Sequence, residues 1–470
     1  MRDSGTRERL RDPDITYFTP CEASMLCGLF WVLIIALMSA SSTISKLNKA
    51  SQRTYGVRWG NVWEVVWAQV PRLDADCHKG QSARVGVLGG SVEYTGAPYY
   101  AAMAGLRAGG DLATVLCADE AAGPIKSFSP ELMVRGIYSE MRFDVGSEMG
   151  SDVGPTMGSK SCSAAARPEL GRVVERGVAL VGSYLPRVHV LVVGPGLGRS
   201  PEAFGILRGV AAAARERGLP MVWDADALFM LTQESSAVTP PASAPASAPV
   251  PAPLMNLDLV QGRHNVVLTP NAMEFKRLCV AAGVQWRDCG TGTETGMGRA
   301  KMVSELAAAL GGVTVLLKGR TDLISCGRVC LEVVEEGSPR RVGGQGDVLA
   351  GILGVMMRWL HRPGRASAAA AASARDDGGD GGTGCVCLPL PVDLYDTVEQ
   401  AQSMWAAAGA ALLTRRSSRL AFSSHARSMS SVEVLACVGH AWEAMVPADG
   451  SRPVLSLEDA AVLPLHFECE

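Results

Sequence analysis

Short runs of Val, Leu and Ile alternate with stretches of helical spacing along most of this chain. Six such runs predict strands, at residues 84–88, 112–117, 188–193, 221–223, 265–268 and 313–317. Helices are predicted between and after them, at residues 98–107, 202–217, 301–310 and 346–360. This alternation of strands and helices predicts an α/β fold, a doubly wound and mostly parallel sheet flanked by helices.

Polar or glycine-rich segments follow several of the predicted strands. They are Gly194-Pro-Gly-Leu-Gly198, Asp224-Ala-Asp226, Thr269-Pro-Asn271 and Lys318-Gly-Arg-Thr-Asp322. In open parallel sheets ligands bind beyond the carboxyl ends of the strands, so these segments fall where a ligand is expected. Each segment alone also fits a plain turn. Asn271 and Glu274, for example, can form either a Mg²⁺–phosphate site or a helix capping box.

The densest chemical signal is Gly337-Ser-Pro-Arg-Arg-Val-Gly-Gly-Gln-Gly-Asp347, directly before the helix predicted at 346–360. Its glycines let backbone N–H groups approach an anion, and the helix start adds a positive dipole end. Asp347 is placed to take a proton from a hydroxyl held against a transferring phosphate. The segment lacks the Lys-Ser/Thr pair of a P-loop and the spacing of the dinucleotide fingerprint. A glycine-rich connection with Asp347 as a helix cap is the structural alternative.

Composition narrows the class of protein and its partners. The chain is 47% apolar and 19% charged, which is typical of a globular protein. Its net charge of −3 gives no reason to expect a nucleic-acid partner. Among its thirteen cysteines there is no C-x-x-C pair, which favours reduced thiols over disulfides or zinc. The seven histidines form no metal-binding pattern.

The N-terminal residues 1–80 do not share the alternating pattern. Residues 25–38 are uncharged and almost wholly apolar, and a basic, Ser-rich stretch follows them. This segment is short for a membrane span and suits the core of a targeting signal, while a single membrane anchor and a mis-predicted gene start stay open. Residues 81–450 are expected to form one domain with disordered insertions at about 146–166, 235–258 and 366–387, followed by a tail at 451–470.

In their order along the chain, these motifs resemble those of the ATP-dependent (S)-NAD(P)H-hydrate dehydratases of the ribokinase-like superfamily. The resemblance runs from about residue 84 to residue 446. It rests on the segments above, on Ser129-Pro-Glu131 and on Gly89-Gly-Ser-x-x-Tyr94-Thr-Gly-Ala-Pro98. A closing helix at residues 406–422 also fits this family. The resemblance implies a ribokinase-like form of the α/β fold for residues 81–450.

The resemblance also implies an enzyme that repairs nicotinamide nucleotides. Its substrates would be NADH hydrate and NADPH hydrate in their S form, with ATP as co-substrate and Mg²⁺ bridging the phosphates. ATP would phosphorylate the added hydroxyl, Asp347 would act as the catalytic base, and loss of phosphate would restore the reduced nicotinamide. The R hydrates would need a separate NAD(P)H-hydrate epimerase, since residues 1–80 are too few to hold one.

By the same resemblance, two segments would contact ATP. They comprise Lys318, Gly319, Arg320, Thr321 and Asp322, and then Gly337, Ser338, Pro339, Arg340, Arg341, Val342, Gly343, Gly344, Gln345 and Gly346. The hydrate would be contacted by Gly196, Gly198, Asn271, Ala272, Met273, Glu274, Phe275, Lys276, Arg277 and Asp347. No metal ligand is assigned, although Glu274 is an option for Mg²⁺.

Two other functions stay open at this point. One is a small-molecule kinase of the same superfamily, which would phosphorylate a thiazole or hydroxymethylpyrimidine alcohol and keep the phosphorylated product. The other is a membrane-anchored nucleotide-binding protein without catalysis. The preference for NADH or NADPH hydrate stays open, as does the oligomeric state, for which a homo-oligomer is one option. The compartment, whether cytoplasm, mitochondrion or plastid, is open too.

Overall fold

The computed structural model of the chain describes residues 53–57, 62, 66, 69–71, 75, 77–140, 166–233, 256–287, 294–361 and 395–444. These residues belong to one compact unit that begins at Arg53. Most of each predicted insertion, the apolar segment at 25–38 and the C-terminal tail lie outside the described residues.

Ten strands are found within the described residues. They are β1 Arg53–Val57, β2 Arg84–Leu88, β3 Leu112–Ala118, β4 Met133–Tyr138, β5 Val190–Val193, β6 Met221–Trp223, β7 Val266–Leu268, β8 Thr314–Leu317, β9 Asp322–Ser325 and β10 Val329–Val333. They form one sheet in the order β1-β10-β9-β8-β7-β6-β5-β2-β3-β4. Neighbouring strands run parallel, except that β9 is antiparallel to both β8 and β10. The predicted α/β class with a mostly parallel sheet is confirmed.

Ten α-helices connect and cover these strands in the part of the chain that the structure describes. They are α1 Gly96–Arg107, α2 Asp119–Phe128, α3 Ala166–Tyr184, α4 Pro201–Glu216, α5 Asp226–Leu231, α6 Ala272–Ala281, α7 Glu294–Ala309, α8 Gln345–Leu360, α9 Val398–His425 and α10 Ser431–Glu443. Short 3-10 helices span Leu185–Arg187, Asn256–Leu259 and Ala426–Ser428. None of the described helices is long and apolar enough to cross a membrane.

The core lies on both faces of the central strands, because every residue of β5, β6 and β7 is buried. Helix α8 packs closely on α1 through Gly351, where an added Cβ would lie 1.9 Å from the carbonyl oxygen of Ala101. The hydrophobic face of α8 is buried along its length from Val348 onward. This packing fixes the first turn of α8 relative to the strand ends.

All six predicted strands are present, with bounds within two residues of those expected. The predicted helices are present too, although the one expected at 301–310 begins earlier, at Glu294. Strands β1, β4, β9 and β10 were not predicted. Strand β1 lies inside the N-terminal region of residues 1–80, and the 3-10 helix Asn256–Leu259 overlaps the insertion expected at 235–258. The domain boundaries stay predictions.

Candidate active site

Two cavities lie side by side beyond the carboxyl ends of the strands. The glycine-loop cavity, of about 1240 Å³, is lined by the ends of β6 and β8 and by the loop before α8. The Tyr94 cavity, of about 830 Å³, is lined by the segments that follow β2, β4 and β5. Three residues line both cavities, namely Ala225, Glu274 and Asp347. The two cavities therefore share a wall.

Asp347 stands in this shared wall, in the first turn of α8. Burial raises the pKa of Asp347 to about 7, and the nearby carboxylate of Asp224 adds to the rise, whereas Lys318 opposes it. A carboxyl group with a pKa near neutrality can hold a proton or release it at physiological pH. This is the protonation behaviour that a general base needs.

The loop before α8 owes its path to two features. Gly344 has φ 96°, and a Cβ there would lie 2.8 Å from the hydroxyl oxygen of Ser431, so a side chain is excluded both by conformation and by space. The Ser431 hydroxyl, at the start of α10, donates to the carbonyl oxygen of Gly343 at 2.5 Å. The backbone N–H groups of the first turn of α8 thus lie at the wall of the glycine-loop cavity.

Lys318, directly after β8, supplies a fixed positive charge to this cavity. Its Nζ lies 2.7 Å from Oδ1 of Asp224, whose side chain is 2% exposed, and the Thr269 hydroxyl donates to the same oxygen at 2.9 Å. Burial would lower the pKa of Lys318, but Asp224 and Glu274 outweigh it, so this pKa lies above its ordinary value. A Cβ at Gly346 would lie 3.3 Å from Nζ, so the lysine contacts the glycine loop.

The turn after β6 separates the two acids of Asp224-Ala-Asp226. Ala225 has φ 48° and ψ −117°, a conformation that residues with a side chain rarely adopt. Beyond it, Oδ2 of Asp226 accepts the N–H of Gly198 at 3.1 Å, and Oδ1 pairs with Nε of Arg199 at 3.0 Å. Asp224 therefore lines the glycine-loop cavity, whereas Asp226 holds the loop after β5 in place through these two contacts.

Asn271 and Glu274 form the capping box of α6. The Asn271 side chain accepts the N–H of Met273 at 2.9 Å and that of Glu274 at 3.0 Å, and Oε2 of Glu274 accepts the Asn271 N–H at 2.8 Å. Glu274 nevertheless lines both cavities. Burial raises the pKa of Glu274, while Lys318 lowers it. The motif therefore forms a helix capping box, and its Glu274 also lies where it can contact a ligand.

Arg415, in the middle of α9, holds the loop after β8 in place. Its Nε lies 2.7 Å from Oδ2 of Asp322, and the pair is largely buried. Its other nitrogens donate to the carbonyl oxygens of Gly319, Arg320 and Glu335 at 2.9–3.1 Å. One planar guanidinium thus fixes two walls of the glycine-loop cavity, a task for which lysine lacks the donors.

Nearly all residues expected to contact ATP line the glycine-loop cavity. They are Lys318, Gly319, Arg320, Thr321, Asp322, Gly337, Ser338, Pro339, Arg341, Val342, Gly343, Gly344, Gln345 and Gly346. Arg340 is placed differently, since its Nε donates to the carbonyl oxygen of Met429 at 2.7 Å and it is not part of the cavity wall. The contact of these residues with ATP stays a prediction.

The residues expected to contact the hydrate are divided by the structure. Gly196, Gly198, Glu274, Arg277 and Asp347 line the Tyr94 cavity, and Asn271 and Ala272 line the glycine-loop cavity. The remaining three line neither. Met273 is 62% exposed, Phe275 is buried against Trp286, and Nζ of Lys276 lies 5.5 Å from the Trp286 ring centre. These three residues therefore do not line the wall that the two cavities share.

The cavity walls also contain residues that were not assigned to the site from the sequence. Those of the Tyr94 cavity are Ser91, Val92, Glu93, Tyr94, Ala97, Glu140, Arg199, Asp226 and Phe229, and those of the glycine-loop cavity include Thr414, Arg415 and Ser418. The first five residues of the Tyr94 cavity lie in the motif at 89–98, so the sequence had marked their segment. Glu140 stands in no such motif, and Arg415 lies in the closing helix at 406–422 without a pattern that singles it out.

The described residues contain no group of three or more His, Cys, Asp or Glu side chains that could hold a metal ion. Mg²⁺ does not need such a cage, since it commonly binds one or two carboxylates, several waters and the phosphates of its nucleotide. Glu274, in the wall between the cavities, can provide such a carboxylate. The residues present therefore fit a nucleotide-bound Mg²⁺.

A parallel α/β sheet with a glycine loop, a lysine and a buried carboxylate at its strand ends is typical of enzymes that act on nucleotide phosphates. The family model described as NAD(P)H-hydrate dehydratase matches residues 85–381. The chain belongs to the NAD(P)H-hydrate dehydratase family, and the resemblance noted in the sequence is confirmed.

Two relatives that are similar in sequence agree with this assignment. The ATP-dependent (S)-NAD(P)H-hydrate dehydratase of Ixodes scapularis is 38% identical over 82% of this chain and 96% of that protein. The Bos taurus protein of the same name is 36% identical over 83% and 90%. Among solved structures, the ADP/ATP-dependent NAD(P)H-hydrate dehydratase of Bacillus subtilis, co-crystallised with ATP/Mg²⁺, aligns with a TM-score of 0.49. It is 18% identical and covers 82% of this chain and 97% of that one.

Proposed function

We propose that this protein uses ATP to dehydrate the S form of NAD(P)H hydrate and so restores NADH or NADPH. Family membership and the names of the relatives supply the reaction class. The single structural observation that supports it is the position of Asp347 in the wall shared by two cavities. From there one carboxylate can face a hydroxyl in the Tyr94 cavity and a phosphoryl group in the glycine-loop cavity.

The glycine-loop cavity is the expected ATP site. The N–H groups at the start of α8 and the ammonium of Lys318 are suited to phosphate oxygens, and Arg341 adds a second cation to the same wall. When bound with the nucleotide, Mg²⁺ would neutralise phosphate charge, held by the phosphates, water and Glu274. The hydrate would then occupy the Tyr94 cavity, with its added hydroxyl at Asp347.

In the proposed reaction Asp347 takes the proton of the substrate hydroxyl while the hydroxyl oxygen bonds to the γ-phosphorus and ADP departs. The carbon–oxygen bond to the new phosphate then breaks, and the neighbouring ring carbon loses a proton, so that the ring double bond is restored. The products are the reduced nicotinamide nucleotide, ADP, phosphate and a proton. General-base assistance of this kind contributes roughly 10²–10⁴-fold to the rate.

The S form alone would present its hydroxyl to Asp347, because the two epimers carry that group on opposite faces of the ring. Complete repair of a mixture of epimers would then require a separate NAD(P)H-hydrate epimerase. Adding such an epimerase to a reaction that has stopped at the S fraction should carry it to completion.

The test is an absorbance assay with the purified protein, ATP, Mg²⁺ and either S-configured NADH hydrate or NADPH hydrate. The reduced-nicotinamide absorbance should return only when ATP is present, with one ADP formed for each nucleotide restored. Comparing the two hydrates gives the preference between them. A small-molecule kinase would consume ATP and leave a stable phosphorylated product, so ADP formation without recovery of absorbance contradicts the proposal. A protein that only binds nucleotide would give neither signal.

A further inference from the structure

Two polar residues of the Tyr94 cavity have no part in the proton transfer at Asp347. One of them is Ser91, which lies in the turn after β2 and is 4% exposed. Its hydroxyl oxygen is buried and has no hydrogen-bond partner among the described residues. Leaving a buried hydroxyl unsatisfied is costly, so such a group in a cavity wall points to a bound molecule that completes it.

The other residue is Glu140, which follows β4. Its Oε2 accepts the N–H of Val92 at 2.8 Å, and its Oε1 accepts the Tyr138 hydroxyl at 3.3 Å. These contacts fix the carboxylate and leave about two of its four lone-pair positions for a ligand. Burial raises the pKa of Glu140, and the carboxylates of Glu120 and Glu202 add to the rise. A ligand N–H donor would stabilise its charged form.

Ser91 and Glu140 meet at Gly198. A Cβ on Gly198 would lie 3.1 Å from Cβ of Ser91 and 3.2 Å from Oε1 of Glu140. The glycine has φ 77°, so this position strongly disfavours a side chain. A hydroxyl and a carboxylate thus border a small space beside bare backbone. A planar group with one acceptor and one N–H donor matches them.

The charged side chains in the wall of the Tyr94 cavity indicate which parts of a substrate can lie beside them. The guanidinium of Arg199 lies 4.0 Å from the ring centre of Phe229, and that of Arg277 lies 5.7 Å from the same ring. Phosphate groups are attracted to these two arginines, although Asp226 already pairs with Arg199, and they are repelled by Glu140. A neutral group such as the hydrated nicotinamide ring therefore suits the space beside Glu140 better than a phosphate does.

We propose, on the basis of the function proposed above, that Ser91 and Glu140 recognise the carboxamide of the hydrated nicotinamide ring. The Glu140 carboxylate accepts a hydrogen bond from the amide N–H, and the Ser91 hydroxyl donates one to the amide carbonyl. Both residues determine specificity and set the position of the ring, which places the added hydroxyl at Asp347.

The test compares S-configured NADH hydrate with the hydrate of the 3-acetylpyridine analogue of NADH, in which a methyl group replaces the amide nitrogen. The wild-type protein should show a KM for the acetyl compound that is about 10- to 100-fold higher, the effect expected for one hydrogen bond to a charged group. Glu140→Gln should remove this preference by raising the KM of the carboxamide substrate alone. In the variant, the side-chain oxygen of residue 140 still accepts the Val92 N–H. The side-chain NH₂ then faces the amide N–H of the substrate, so two donors oppose each other.

Ser91→Ala should act differently. Both substrates keep the carbonyl group, so their KM values should rise together, by about three- to tenfold for one neutral hydrogen bond. The KM for ATP should be unchanged in both variants. Glu175→Gln, on an exposed position of α3, is the matched control and should behave as wild type. Melting temperatures identify any variant that fails to fold.

The assignment is overturned if the wild-type protein binds the acetyl analogue as tightly as the carboxamide, a measurement that needs no variant. It is also overturned if Glu140→Gln weakens both substrates equally. If the wild-type protein restores neither nucleotide with ATP present, the proposed function is wrong instead, so the two failures are distinguishable.

Discussion

Replacing Asp347 with asparagine removes the charge of the proposed base and keeps the size of the side chain. The change should lower kcat for the hydrate by about 10²–10⁴-fold, the usual contribution of a general base. The KM for ATP should change little, because the glycine loop and Lys318 would hold the phosphates. A loss confined to kcat is the signature of a group that acts in the transition state.

The same substitution should stabilise the fold. The pKa of Asp347 is raised from its ordinary value of 3.8 to about 7, so above pH 7 the folded state carries a carboxylate in an environment that favours the neutral form. Each pKa unit corresponds to 1.36 kcal/mol, which gives an upper bound of about 4 kcal/mol. Because the carboxyl borders two cavities that water can enter, a gain of roughly 1–3 kcal/mol is expected.

The sign of the pH dependence follows from the direction of the pKa change. Below about pH 4 the carboxyl is protonated in both the folded and the unfolded chain, so Asp347 has no cost there. Between about pH 4 and pH 7 the unfolded chain releases the proton and the folded chain keeps it, so wild-type stability falls as the pH rises. The advantage of Asp347→Asn should therefore grow from pH 5 to pH 8.

Thermal or urea unfolding at pH 5 and pH 8, together with the absorbance assay, measures both effects. Asp258→Asn is the control, since Asp258 is exposed and lines neither cavity. An Asp347→Asn protein that keeps a tenth or more of the wild-type kcat rules out Asp347 as the base. If wild type and Asp347→Asn differ in stability by the same amount at both pH values, the pKa of Asp347 is not raised to near 7.

Three further results are expected. The wild-type kcat/KM should fall about tenfold per pH unit below pH 7, since Asp347 must be ionised to accept a proton. A kcat/KM that stays constant from pH 5.5 to pH 8 would count against Asp347 as the base. Arg415→Lys should raise the KM for ATP about tenfold, because the three donors of lysine cannot replace the four bonds of the planar guanidinium. Arg419→Lys, at an exposed position of α9, should leave this KM unchanged, and equal effects of the two substitutions would refute the role of Arg415. Gly351→Ala should lower the free energy of unfolding by about 3 kcal/mol or more, because the added Cβ would overlap a carbonyl oxygen of α1. Gly182→Ala, which adds a Cβ in open space, should raise the free energy of unfolding by up to about 1 kcal/mol. Similar values for the two variants would show that α8 can shift.

The strands with the clearest sequence signal are buried on both faces. β5 and β6 read as continuous apolar runs, because helices cover both sides of the sheet there. Strand β4 gives no such signal, since Met133 and Arg135 are exposed at the edge of the sheet. Strand β9 runs antiparallel to both β8 and β10, and a run such as Asp322–Ser325 is too short to predict on its own.

The candidate site was predictable where one segment carries the chemistry, as in the glycine loop with Asp347. It was not predictable where a single side chain reaches in from a distant element. Arg415 stands in the middle of a long helix, and its role comes from its bonds to Asp322, 93 residues away, and to the carbonyl oxygens of two loops. Glu140 likewise acquires its place from the N–H of Val92, 48 residues away. Such residues depend on tertiary geometry, which spacing along the chain does not record.

The behaviour of Asp347 depends on how the site distributes its charges. Lys318 is 2.7 Å from Asp224, whose carboxylate is buried and also accepts a hydrogen bond from Thr269. The lysine is thereby engaged, and its effect on Asp347 does not offset burial and the neighbouring carboxylates. Had the lysine paired with Asp347 instead, the pKa of that carboxyl would be low and its power to accept a proton weak. The Asp224–Lys318 pair therefore does two things at once: it keeps a cation on the glycine-loop cavity, and it leaves Asp347 basic.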